Sequence, residues 1–291
     1  MDKKGLIVIN GYFINDAIKH QTESLVDAFS KRGVKVDIIK GNELDISVKG
    51  KQVVCFLPKY DFIIYLDKEI LRAQMLEKAG YKVFNSSEVI RICDDKMLTF
   101  VTLVGNGINM PKTIASPLNY TGATDTEFLS LVENSIGYPV VLKSSYGSMG
   151  KGVFKADNKT QLEKIYADLK GVPHLYQEFI GNGGKDIRVI VIGGKVVTAM
   201  QRVNENDFRS NVEQGGVGKK IVLDEKVVSM AERIAKTLKA DYLGIDILFG
   251  DNEYYLCEVN SNAFFKGVTQ TSGVSVADAY ADYIVEKIKV V

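Results

Sequence analysis

Residues 242–260, YLGIDILFGDNEYYLCEVN, read as two strands joined by a tight polar turn. Asp246 and Glu258 each stand six residues from Asn252, so a symmetric three-residue loop sets them directly opposite one another. Glu258 and Asn260 are two apart on one strand and point to the same face. The opposite face then carries Ile247, Phe249, Cys257 and Val259, which suits a core. Facing carboxylates repel unless something cationic lies between them. A hard divalent cation that prefers oxygen ligands fits this donor set, Mg2+ before Ca2+. A polar hairpin face in solvent is the other reading, and a slipped register removes the pairing.

Upstream, residues 186–202, DIRVIVIGGKVVTAMQR, form a second hairpin signal, two apolar strands around Gly193-Gly194. Arg188 follows Asp186 by two, Arg202 ends the next strand, and Arg209 and Asn211 fall in FRSNVEQGG, residues 208–216. The whole stretch 204–220 is polar and Gly-rich and reads as a loop. Arginine matches phosphate and carboxylate geometry; a surface ion pair is the alternative for each. Lys143 interrupts the apolar run of YPVVLKSS and shares a strand face with Val141, so it needs an anion or must snorkel outward. The following SYGSMGKGV brings Gly147, Gly150 and Gly152, which permit close backbone approach to a phosphate; alone such a stretch is more often a flexible hairpin turn than a phosphate clamp, and it is no P-loop.

The first ~85 residues alternate strand and helix signals, as in parallel βαβ units. GLIVIN, VKVDII, DFIIYLD and YKVFN read as strands, and residues 17–32 and KEILRAQMLEKAG as helices. No GxGxxG follows the first strand, which disfavours a dinucleotide fold. Asp94 or Asp95 caps a helix in DDKMLTFVTLVGNG, closed by Gly105 or Gly107. Further helices are read at 158–171, 225–239 and 275–291.

The 291 residues carry 37 basic and 36 acidic side chains, a formal net charge of +1, so no sequence-blind nucleic-acid binding is expected. No apolar run approaches the ~18 residues of a membrane helix, and the N-terminus reads as a strand, not a signal peptide. Three distant cysteines, Cys55, Cys93 and Cys257, make no disulfide framework and point to a reduced, cytoplasmic protein. His20 and His174 receive no role.

DDKMLT, VVLKSSYGSMGKGV, YQEFIGNGGKDIRVIVIGGKVVTAMQR, FRSNVEQGG and YLGIDILFGDNEYYLCEVNSN, in this order, resemble the ATP-grasp superfamily, most closely its RimK-like carboxylate–amine ligases. The resemblance runs from about Lys96 to Asn262 and implies an α/β (α+β) ATP-grasp fold. Its implied parts are an α/β pre-domain of parallel strands at 1–93, a central subdomain with the glycine-rich lid at 94–176, and a C-terminal subdomain with the metal site at 177–291. It implies ATP and Mg2+, usually two ions, with Mn2+ as a substitute. By match to the family motifs, Lys96 and Lys143 meet the phosphates, and Gly147, Ser148, Met149 and Gly150 lie in the lid. Gln177, Glu178, Phe179 and Ile180 form the adenine hinge, and Asp186 meets the ribose or nucleotide. Arg202, Arg209 and Asn211 surround the γ-phosphate and acyl intermediate, the two arginines as catalytic groups. Asp246, Glu258 and Asn260 are the implied metal ligands.

The implied reaction is ATP-dependent ligation of a carboxylate to an amine through an acylphosphate, adding an amino acid to a small molecule, peptide or protein C-terminus. Homo-oligomers are common in similar enzymes; neither nucleic acid nor membrane is an implied partner. EVNSNAFFKG departs from the family pattern at Asn262 and the Phe-Phe pair, which leaves glutamate as the added amino acid open. Tyr12, Phe13 and residues 264–266 are candidates for the acceptor site, with core packing the alternative for the aromatics. A dipeptide ligase, a carboxylase-like enzyme and a non-catalytic ATP-binding regulator remain alternative readings; the last has no need of a full Asp/Glu/Asn set.

Overall fold

The computed structural model describes residues 3–181, 183–211 and 214–289. It opens with β1 (Lys4–Ile9), α1 (Asp16–Ser30), β2 (Lys35–Lys40), β3 (Ile46–Lys49), β4 (Gln52–Cys55), β5 (Phe62–Leu66), α2 (Ile70–Lys78), β6 (Val83–Phe84) and α3 (Ser87–Asp94). β2-β1-β5-β6 form a parallel sheet. β5 is buried at every position because both faces are covered. Ile7, Ile9, Phe62 and Ile64 pack on one side with Leu25 and Phe29 of α1, while Leu6, Val8, Ile63 and Tyr65 pack on the other with Ala73 and Leu76 of α2. The period-2 alternation of two apolar faces therefore builds a sheet between layers. The β3–β4 hairpin and α3 have no counterpart in the sequence reading.

The central part comprises α4 (Lys96–Leu103), β7 (Thr113–Ala115), α5 (Thr126–Ile136), β8 (Val140–Ser144), β9 (Val153–Ala156), α6 (Lys159–Leu169) and β10 (His174–Glu178). Asp95 starts α4 by accepting the Met97 and Leu98 amides at 2.9 and 3.1 Å. β7-β10-β8-β9 form an antiparallel sheet. Val140, Leu142 and Tyr176 pack on Leu129, Val132 and Leu162 of α5 and α6, which turns Val141, Lys143 and Gln177 the other way.

The last part holds β11 (Lys185–Ile192), β12 (Lys195–Val203), β13 (Val217–Lys219), α7 (Glu225–Leu238), β14 (Tyr242–Phe249), β15 (Tyr254–Asn260), α8 (Lys266–Ser272) and α9 (Val276–Lys287). The sheet order is β13-β12-β11-β14-β15, antiparallel throughout. Gly193 and Gly194, at φ +58 and +82, make the tight turn between β11 and β12, with Ile192 facing Lys195. β13 lies within the stretch read as loop. One face buries Ile187, Val189, Ile245, Ile247, Leu256 and Val259 against α7. The other face divides: Ile190, Ile192 and Tyr242 join the core under α9, and Asp186, Arg188, Arg202 and Asp246 continue it as a charged floor. Buried Asn85 ties the parts together, accepting the Asp241 and Tyr242 amides and donating to the carbonyls of Tyr242 and Ser261. Among the described residues no helix is long and apolar enough to cross a membrane.

Candidate active site

The β14–β15 hairpin does pair Asp246 with Glu258, but by a different route from a symmetric three-residue loop. Phe249 faces Tyr254, which leaves the four residues Gly250–Glu253 in the turn, and Ile247 faces Leu256. Cys257 is then the extra residue of a β-bulge, which restores Asp246 to Glu258. The bulge also corrects the assignment of Cys257 to the core face: Leu256 takes that place, and Cys257 lines the cleft beside Glu258. Burial pushes its thiol up, against the opposing pull of Lys143.

Two antiparallel sheets close on this hairpin. Val141, Lys143 and Gln177 from the central sheet face Asp186, Arg202, Asp246 and Glu258 across a cleft whose empty space, open solvent included, is about 670 Å³. Gln177 to Ile180 form one wall, with Gly150, Arg209 and Asn211 at the rim. Gln177 is fixed by donating to Thr113 Oγ1 at 2.9 Å, and the Glu178 carboxylate turns outward to accept the Lys112 amide at 3.1 Å.

The charges on the floor are arranged by strand register. Arg188 lies opposite Asp246, and Asp186 opposite Arg202. Arg188 holds Asp246 through both Nε and Nη2, the second bond at 2.8 Å. Arg202 holds Asp186 in the same fork, Nε at 2.7 Å, and also reaches Asp246 Oδ2 at 2.9 Å. Burial alone would raise the Asp246 carboxyl, but the two guanidiniums outweigh it and hold the group below the usual carboxylate range. Arg188, marked in the sequence by its D-x-R spacing but given no role there, is in the structure the direct partner of Asp246 rather than a surface ion pair.

The lysines behave differently. Lys96, the first residue of α4, donates to the Gly147 carbonyl at 3.2 Å and stands 3.5 Å from Glu258. Lys143 is 7% exposed, and its ammonium lies 3.7 Å from Cys257 Sγ. Among the described residues it has no carboxylate partner. A buried ammonium without an anion is costly, so the cleft is built for an anion that the chain does not supply.

A second cleft, about 1470 Å³, adjoins the first. It lies between the carboxyl ends of β1 and β5, where Asn10 and Asp67 stand, and the end of the β14–β15 hairpin at Asn260 and Asn262. Such a crevice at the carboxyl ends of parallel strands is a common ligand position. Glu258, Arg202 and Asn211 line both clefts; Asp246 lines only the first, and Asn260, Ser148 and Met149 only the second. Phe13, Phe264 and Lys266 line the second cleft, Tyr12 is 89% exposed, and Phe265 is core. His174 is buried, its ring nitrogens bonded to the Val172 carbonyl and the Tyr176 hydroxyl.

The donor set suits magnesium. Among the described residues no three His, Cys, Asp or Glu side chains cluster tightly enough to cage a metal. Two carboxylates and an amide on one hairpin leave most of a coordination shell to phosphate oxygens and water, the habit of Mg2+.

A RimK-like ATP-grasp domain matches residues 93–284, and the chain belongs to that family. It is 36% identical over 221 residues to N-acetylaspartylglutamate synthase A of Homo sapiens, covering 75% of this chain and 56% of that protein. It is 32% identical over 283 residues to a probable alpha-L-glutamate ligase of Maridesulfovibrio salexigens, covering 91% of each. The solved structure of the ATP-grasp ligase PsnB complexed with minimal precursor, Mg and ADP has a TM-score of 0.72 at 19% identity, over 98% of each chain, a likeness of fold. The chain spans little more than half the length of the first curated relatives it matches, 56% and 57%.

Proposed function

We propose that this protein is an ATP-dependent carboxylate–amine ligase that works through an acylphosphate and adds an amino acid to a small molecule or peptide. The observation that carries the reading is Lys143, a buried cation with no carboxylate partner among the described residues, aimed into a cleft whose floor holds Asp246 and Glu258. The family membership and the names of the relatives support the same reaction class.

In this reading ATP enters the first cleft, with its base against Gln177–Ile180 and its phosphates toward Lys96 and Lys143. Asp246, Glu258 and Asn260 would hold magnesium, which when bound neutralises charge on the transferring phosphoryl group. The substrate carboxylate comes from the second cleft and meets the γ-phosphoryl where Glu258, Arg202 and Asn211 line both spaces. A carboxylate is a poor acyl donor because oxide leaves badly. Phosphorylation turns that oxygen into a phosphate leaving group, the amine attacks, and phosphate departs. Buried arginines and lysines stabilise the charge spread over the phosphoryl oxygens, so little covalent work falls to side chains. The absence of a Ser-His-Asp or Cys-His arrangement among the residues lining the cleft agrees with this.

The test is an ADP-release screen of carboxylates against amines, with mass analysis of any product. A substrate carboxylate labelled with heavy oxygen passes one label to inorganic phosphate on the acylphosphate route. Product without label transfer would rule that route out.

A further inference from the structure

Arg209 does not reach into the cleft alone. Its guanidinium is clamped by Asp207, two residues upstream, with Nη2 donating to Oδ2 at 2.7 Å and Nε to Oδ1 at 3.0 Å. The Arg209 amide donates to the same Oδ1 at 2.8 Å. This fork leaves Nη1 pointing across to the glycine-rich segment, where it donates to the carbonyls of Gly150 and Val153 at 3.2 and 3.4 Å. Beside it, Gln214 donates to the Met149 carbonyl at 3.1 Å, and Met149 sits at φ +62, a left-handed conformation that non-glycine residues adopt only when held. Buried Asn204 fixes the base of this arrangement by donating to the carbonyls of Arg209 and Gln214 at 2.9 and 2.8 Å.

We infer that Asp207 is a positioning residue: it clamps Arg209 so that the guanidinium ties down the Gly150–Val153 backbone and sets the height of the glycine-rich segment over the nucleotide cleft. The inference rests on the proposed nucleotide reading for its consequence, but the clamp itself is a matter of side-chain geometry. A carboxylate is needed because only an anionic fork engages Nε and Nη2 together and leaves Nη1 free for the carbonyls. The neutral side-chain amide of an Asp207→Asn variant offers one acceptor oxygen, so the guanidinium can swing away and the tie to Gly150 and Val153 loosens. Asp207 and Arg209 are only partly buried, which makes the effect local.

Two readouts test it on the full chain. Lys151 lies exposed in the tied segment, so trypsin cleavage after Lys151 reports how often that segment opens. In Asp207→Asn, cleavage there should be roughly tenfold faster and binding of a fluorescent ATP analogue with Mg2+ roughly tenfold weaker, with an unchanged thermal midpoint. Asp207→Glu should restore both to within about twofold of wild type, which a loss of general packing would not allow. Wild-type rates of cleavage and wild-type affinity in Asp207→Asn would overturn the inference, as would failure of Asp207→Glu to restore either. A wild-type protein that binds no ATP would overturn the nucleotide reading instead, and the cleavage comparison would still decide the clamp.

Discussion

Arg188 and Asp246 stand directly opposite each other on β11 and β14, and the guanidinium grips the carboxylate through two of its nitrogens in a buried site. Removing the arginine leaves a buried carboxylate with Arg202 as its remaining partner. Arg188→Met should therefore destabilise the nucleotide-free protein by about 3 kcal/mol, near the lower end for breaking a buried pair. Urea unfolding measures it, and a midpoint equal to wild type would refute the account. Arg188→Lys should recover only part of the loss, because an ammonium cannot form the fork.

Lys143 gives the opposite stability sign. Lys143→Met removes a buried ammonium that has no carboxylate partner among the described residues, so the thermal midpoint without nucleotide should hold or rise. ATP-dependent ligation should fall by roughly a hundredfold or more, as for loss of one preorganised donor to a transferring group. Glu258→Gln should likewise lose ligation while folding normally. Turnover near wild type in either variant would argue strongly against the proposed site.

Cys257 occupies the bulge, and its side chain lies in the cleft next to Lys143. Cys257→Ala should keep the register and bind ATP normally, whereas Cys257→Phe should fill the cleft and weaken ATP by roughly tenfold or more without unfolding the protein. Because burial raises the thiol above its ordinary value of 9.0, alkylation by iodoacetamide should stay slow at neutral pH and accelerate only under more alkaline conditions. Calorimetric binding and mass-resolved alkylation rates are the measurements.

His174 makes the fold acid-sensitive. Its ring is buried, and burial lowers its pKa below the unfolded value of 6.5, outweighing the bond to the Val172 carbonyl. The unfolded chain thus binds a proton in a range where the folded chain does not. The stability at stake is fully present above 6.5 and is lost as pH falls toward the depressed folded value. The slope contributed by this one group is at most about 1.4 kcal/mol per pH unit. In His174→Gln the urea midpoint should fall less between about pH 7 and pH 5 than in wild type. Parallel profiles for the two proteins would remove His174 from the explanation.

Much of the architecture was legible because it is written in short-range periodicity. The apolar run at residues 5–9 announces a strand, the unbroken run at 62–66 a strand covered on both faces, Gly193-Gly194 a hairpin, and the apolar spacing at 225–239 announces α7. What escaped was short or locally ambiguous. The β3–β4 hairpin has four-residue strands. α3 is eight residues long and abuts α4 at Asp95, and α8 is a seven-residue helix whose N-cap, Phe265, makes no side-chain capping bond. α5 is the exception, since it carries ordinary helix signals that the sequence reading passed over.

Within a regular strand, local spacing is enough to say which residues share a face: Glu258 with Asn260, Lys143 with Val141 inside an apolar run, and Arg188 with Asp186. Side-chain direction along a strand is a local property, so it survives without coordinates. That Arg188 belongs to Asp246, that Cys257 steps out of the core to keep Glu258 in place, and that Lys143 meets no carboxylate among the described residues emerges with the folded chain. Each of those depends on the register between strands distant in sequence and on two sheets closing over one space, and no local pattern encodes how such surfaces meet.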